Sequence, residues 1–164
     1  MFIVGFLQQF EDKAAQRQKR LPATIVVKSL GDALGNISSM YLKETNQIIV
    51  NEKVLNELTS VELIATVFHE GRHAQQWHQI NHPEDAFEDV SELEKWKNDF
   101  LSYDQTSANS NTKAYLTLAI EVDAVAYTTL NMLRLSNLKM QVHPDMKLLV
   151  DKRIEEISTR PDNF

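Results

Sequence analysis

The sequence predicts an α+β fold, with a small sheet of about three strands early in the chain and helices supplying most of the rest. Three observations carry this expectation. Thr24–Lys28 is a β-branched run, two short apolar runs flank Lys43-Glu44-Thr45-Asn46, and helix-spaced apolar residues fill the remaining length.

At the start, Ile3, Phe6, Leu7, Phe10 and Ala14 repeat at helical spacing. Met1–Leu7 is apolar but lacks a basic leader and runs into Gln8, Gln9, Phe10, Glu11 and Asp12, so an amphipathic helix is expected rather than a signal peptide. The expected location is cytoplasmic, or outside the cell by a route that needs no recognisable signal peptide. The helix should stop near Leu21-Pro22, because proline disfavours helical geometry in the residue before it. Thr24–Lys28 then reads as a strand, and Ser38–Leu42 and Gln47–Asn51 as a β-hairpin.

Thr59 followed by Glu62 is a capping box opening a helix that carries Leu63, Ile64, Val67, Phe68, Ala74 and Trp77 and ends before Pro83. Pro83 can open the next helix, with Phe87, Val90, Leu93, Phe100 and Leu101 as its apolar stripe. Ser102–Thr112 is polar and reads as a loop. Ala114–Leu133 reads as one apolar helix, and a last amphipathic helix follows Pro144 through Met146, Leu149, Val150, Ile154 and Ile157. A chain of 164 residues and 18.8 kDa is expected to form one domain, 1–164, with an inserted helix and loop at 83–112.

The charge balance excludes some functions. A net charge of −6 opposes nucleic-acid and anionic-membrane partners, which are held by Lys and Arg against phosphates. With no cysteine there is no disulfide, thiol nucleophile or thiolate metal site, so any metal must be held by His, Asp or Glu.

His69-Glu70-Gly71-Arg72-His73 is an HExxH motif in the middle of the capped helix. Positions i and i+4 of a helix lie one above the other, so both imidazoles can reach one Zn2+ ion. A bound zinc lowers the pKa of a water toward neutrality, and Glu70 is placed to take the proton. Gly71, in mid-helix, marks either a close approach at this site or a packing contact.

A catalytic zinc needs a third protein ligand. His78 and His82 also stand four apart, but His82 precedes Pro83 and the pair is expected to face solvent. A histidine six residues after His73, which would complete a metzincin pattern, is replaced by Gln79. Within Ala114–Leu133 the only acids are Glu121 and Asp123, each costly in apolar surroundings unless paired with a metal or with a base such as Arg72. Two residues apart on a helix, they point to roughly opposite sides, so at most one is a ligand.

His69-Glu70-x-x-His73, followed by a helix containing Glu121-x-x-Ala124, resembles the gluzincin metallopeptidases, particularly the small single-domain minigluzincins. The resemblance covers about 24–133 and implies a zincin-like fold with an active-site HExxH helix and a second ligand-bearing helix. It implies Glu121 as third zinc ligand, with Ala124 allowing close helix approach and the 38–51 hairpin supplying an edge strand for a peptide or protein substrate. Many gluzincins carry an acid four residues after the ligand glutamate to orient a histidine; here that position is Val125, and Asp123 is a possible substitute. Candidate oxyanion donors are Tyr103, Tyr115, Tyr127 and His143. The activity implied is zinc-dependent peptide hydrolysis with Glu70 as general base. The alternatives are a zinc amide hydrolase acting on a non-peptide or cell-wall substrate and a non-catalytic binding module that keeps the fold.

Overall fold

Helix α1 (Phe2–Arg17) buries Leu7, Ala14 and Ala15, and lays Ile3, Phe6 and Phe10 on the core. The computed structural model, to which this helix belongs, describes residues 2–31, 34, 37–102 and 113–164. The helix ends before Pro22 exerts any influence. Lys19 adopts the left-handed conformation (φ 55°), and the Arg20 and Lys19 amides donate to the carbonyls of Ala15 (3.1 Å) and Gln16 (3.3 Å). This Schellman pattern satisfies carbonyls that the helix end would otherwise orphan.

Strands β1 (Thr24–Lys28), β2 (Ser39–Leu42) and β3 (Gln47–Asn51) form a mixed sheet in the order β1-β3-β2. The expected hairpin pairs antiparallel, with Ser39 opposite Val50 and Leu42 opposite Gln47, while β1 runs parallel to β3 with Ile25 opposite Ile48. The central strand is buried from Ile48 to Asn51, which is why its apolar residues are consecutive rather than alternating. The order leaves β2 at an edge.

Asn51 caps the short α2 (Glu52–Leu55). Helix α3 (Ser60–Asn81) starts at the expected capping box: the Glu62 amide donates to Thr59 Oγ1 (3.3 Å) and the Thr59 amide to Glu62 Oε2 (2.7 Å). It stops at His82, before Pro83. This helix is central to the structure, packing against α1, the β2–β3 hairpin and the helices that follow.

Two expectations about those helices need correction. Pro83 opens only a 3-10 turn (Pro83–Asp85), and α4 runs from Val90 to Ser102. Its buried stripe is Leu93 and Trp96, with Phe100 packed alongside, whereas Val90 and Leu101 are 70% and 75% exposed. At about 100° per residue those two lie roughly a quarter-turn round from the stripe's centre. The second correction concerns the 114–133 segment, which is two helices, α5 (Lys113–Leu116) and α6 (Ala119–Ser136), broken at Thr117-Leu118. Leu118 cannot cap with its side chain. Asp99 of α4 instead accepts the Ile120 amide at 3.2 Å, tying the start of α6 to α4. The 103–112 part of the expected loop lies outside the described residues.

Helix α7 (Lys147–Ile157) buries Val150 and Ile157, and Phe164 beyond it packs 5.0 Å from Phe68. The main core joins α1, the sheet, α3, α6 and α7, and the smaller Leu93–Trp96–Ile120 cluster joins α4 to α6. The molecule is therefore α+β, with seven helices and a three-stranded mixed sheet among the described residues. No described helix is long and apolar enough to cross a membrane.

Gly71 serves packing. A Cβ there would lie 2.6 Å from Glu11 Oε2 and 3.3 Å from Arg20 Nη2. Its bare backbone makes room for the buried Glu11–Arg20 ion pair (2.6 Å), and its carbonyl accepts from Arg20 Nη2 at 3.0 Å.

Candidate metal centre

The capping box and apolar stripe set the rotation of α3, and with it the direction of its third and fourth turns, which carry His69 and His73. His69 and His73, one turn apart, bring their Nε2 atoms within 3.2 Å of each other. Helix α6 crosses α3 here and turns Glu121 toward both rings: Oε2 lies 3.4 Å from His69 Nε2 and Oε1 3.5 Å from His73 Nε2. One ligand atom from each of the three residues lies within 4.8 Å of the others, an arrangement that can hold a metal ion. Glu121 is 3% exposed, and its buried Oε1 has no hydrogen-bond partner. Ala124, one turn further along α6, is fully buried.

The electrostatics favour positive charge at this point. Burial opposes a charge on His73, but the facing Glu121 carboxylate outweighs it and pushes the imidazole up to about 9. Burial also opposes an ionised Glu121, yet His73 and His69 hold its carboxyl well below the usual range.

Asp123 points elsewhere. Its carboxylate accepts from Arg72 Nε (2.7 Å), Arg72 Nη2 (3.2 Å) and Arg153 Nε (2.8 Å), while Arg72 Nη1 donates to Asp162 Oδ2 (2.6 Å). Glu88 joins through Arg153 and Arg160. The base that satisfies Asp123 thus includes the arginine of the motif itself, and the opposite-sides geometry of residues two apart is realised.

Glu70 is buried, and the Ser39 hydroxyl donates to its Oε1 at 2.7 Å. The edge strand is thereby held over the motif helix. On one side of Glu70 lies a cavity of about 240 Å3 lined by Met40, Leu42, Phe100, Ile120 and His73. A cavity of about 470 Å3 on the other side is lined by His69, Thr66, Tyr115, Val125, Thr128 and Met140. Helix α4 closes the first through Phe100, whose ring lies 6.3 Å from His73 and whose carbonyl accepts from Lys43 Nζ at 3.4 Å. The inserted helix therefore sits beside the cleft.

Of the candidate oxyanion donors, Tyr115 lines the larger cavity together with His69 and Glu70. Tyr127 is buried in the core against Phe68, with its hydroxyl turned to the Asp162 carbonyl (3.5 Å). His143 is exposed beside Asp145, and Tyr103 lies outside the described residues. His82 is exposed beside Glu84 and His78 is half-buried, with the two rings 4.6 Å apart.

Sequence reasoning missed Ser39 and Gln76. Gln76 Oε1 faces His73 Nδ1 at 2.9 Å, and its Nε2 donates to the Ile120 carbonyl (2.9 Å) and Asp123 Oδ2 (2.7 Å). The signal for Gln76 was available, because i+3 places it on the His73 face of the helix. Ser39, 31 residues from Glu70, carried no such signal.

No family model, curated protein or solved structure matches this chain.

Proposed function

We propose that this protein is a zinc metallopeptidase of gluzincin type with a zincin-like fold, in which His69, His73 and Glu121 hold the metal and Glu70 is the general base. The observation that carries this reading is the His69–His73–Glu121 cluster beside a buried glutamate. The two imidazole nitrogens lie 3.2 Å apart and Glu121 Oε2 lies 3.4 Å from His69, close to the roughly 3.3–3.4 Å between ligands of a tetrahedral zinc with bonds of about 2.0–2.1 Å, while the other carboxylate oxygen faces His73 at 3.5 Å. Two nitrogens and a carboxylate with an unpartnered buried oxygen suit that ion's chemistry.

Zinc, when bound, polarises a substrate carbonyl and acidifies a water. Glu70 would accept a proton from the attacking water as its oxygen bonds to the carbonyl carbon, and would pass that proton to the amine nitrogen as the C–N bond breaks. Ser39 fixes one Glu70 oxygen, leaving the other to act on the water. The edge of β2 pairs with the extended backbone of a peptide, whose side chains enter the cavities on either side of Glu70. Tyr115 donates to the oxyanion.

The test is metal analysis of the purified protein, then incubation of the zinc-loaded form with a mixed peptide library and with cell-wall fragments. One zinc per chain and cleaved peptides are expected. Cleavage of cell-wall fragments alone would replace the peptide with another amide substrate, and a zinc-free protein that binds none on addition would overturn the reading. In Glu121→Ala, zinc should be lost on dialysis.

A further inference from the structure

We infer that Gln76 is the positioning residue for His73, holding its ring with Nδ1 protonated and Nε2 turned to the metal, and that Asp123 acts on the site through it. The inference rests on the zinc reading of the same site.

The Ile120 carbonyl and the ionised Asp123 carboxylate can only accept, and both lie within hydrogen-bond distance of the same end of the Gln76 amide, at 2.9 and 2.7 Å. That end must be the NH2 group, since an oxygen there would face two acceptors inside a buried site. The Gln76 oxygen therefore points at His73, and the atom facing it at 2.9 Å, His73 Nδ1, must carry a proton. A neutral imidazole protonated at Nδ1 has its lone pair on Nε2, the atom that faces His69 and Glu121. Gln76 itself is fully buried, so water cannot substitute for these contacts.

Asp123 is fixed in turn by three donor atoms of Arg72 and Arg153. The rigid chain is thus arginines, carboxylate, amide, imidazole. Val125, where an orienting acid would be expected, lines the larger cavity instead.

Partners that orient a ligating histidine typically change metal affinity by about 10- to 100-fold when removed. The experiment compares zinc affinity, by competition with a chromophoric chelator, in the wild type, Gln76→Met and Gln79→Met. Gln79 is the control, a buried glutamine of the same helix whose oxygen accepts the Phe87 and Glu88 amides and touches neither histidine. Gln76→Met should bind zinc about 10- to 100-fold more weakly. Gln79→Met should lower the melting temperature while keeping wild-type zinc affinity. Equal affinity in Gln76→Met and wild type overturns the inference, as does an equal loss in both variants. A wild type that binds no zinc overturns the site reading instead. Should Gln76→Met fail to fold, nitrogen-15 spectra of the zinc-loaded wild type decide: a slowly exchanging proton on His73 Nδ1 supports the inference, and a rapidly exchanging or absent one overturns it.

Discussion

Ser39 donates its hydroxyl proton to Glu70 Oε1 across 2.7 Å, joining the edge strand of the sheet to the motif helix at the centre of the cleft. Strand β2 and Glu70, the substrate edge and general base of the proposed mechanism, are thereby held in one frame. We predict that Glu70→Gln retains zinc and melting temperature while hydrolysis falls by about 10² to 10⁴. Ser39→Ala should retain zinc and lose activity by a smaller factor, about tenfold, since it frees the base without removing it. Loss of zinc from Glu70→Gln, or activity within a few-fold of wild type, would reject the role of Glu70.

Tyr115 and Tyr127 are expected to separate cleanly. Removing one oxyanion donor typically costs about 10² to 10³ in kcat, so Tyr115→Phe should slow turnover on that scale with little change in KM. Tyr127→Phe leaves a core ring in place and should keep kcat. The same loss of kcat in both variants would contradict the assignment.

Asp123 should govern acid stability. Burial would raise its carboxyl, but Arg72 and Arg153 overcome that and hold it far below its ordinary value of 3.8. A depressed folded-state pKa contributes stability that is fully present above the unfolded value and lost as pH falls toward the folded one. Denaturation midpoints measured from about pH 6 downward should therefore hold steady to about pH 5 and decline below about pH 4. In Asp123→Asn the buried arginines lose one carboxylate partner and keep Asp162 and Glu88, at a cost of about 3 kcal/mol, or a melting temperature lower on the order of 10 °C. The acid dependence should be shallower, and zinc should still bind at saturation. Wild-type stability in this variant would show that Asp123 contributes nothing to it.

Gly71→Ala sets two effects against each other. Alanine favours a helix interior over glycine by about 1 kcal/mol, but its Cβ would approach Glu11 Oε2 to 2.6 Å. Overpacking costs about 1–3 kcal/mol, and disturbing a buried ion pair adds to that. The variant should be less stable by about 2 kcal/mol in urea denaturation, with zinc stoichiometry unchanged. A gain in stability would mean that Glu11 and Arg20 shift at no cost.

Features that depend on neighbours along the chain were legible in the sequence. The HExxH spacing puts two imidazoles on one helix face, Thr59 and Glu62 start that helix, Pro83 ends it, and the runs around Lys43–Asn46 make the hairpin. Each follows from backbone geometry over a few residues. Tertiary packing decided the rest. Glu121 faces the histidines while Asp123 takes Arg72, 51 residues away, because packing fixes the rotation of α6 against α3. The break at Leu118 is stabilised by Asp99 from another helix, and Gly71 is explained only when Glu11 and Arg20 arrive beside it. Sequence periodicity shows that a helix has an inner face, but which buried carboxylate meets a base and which is left to face the imidazoles depends on side chains brought by distant segments.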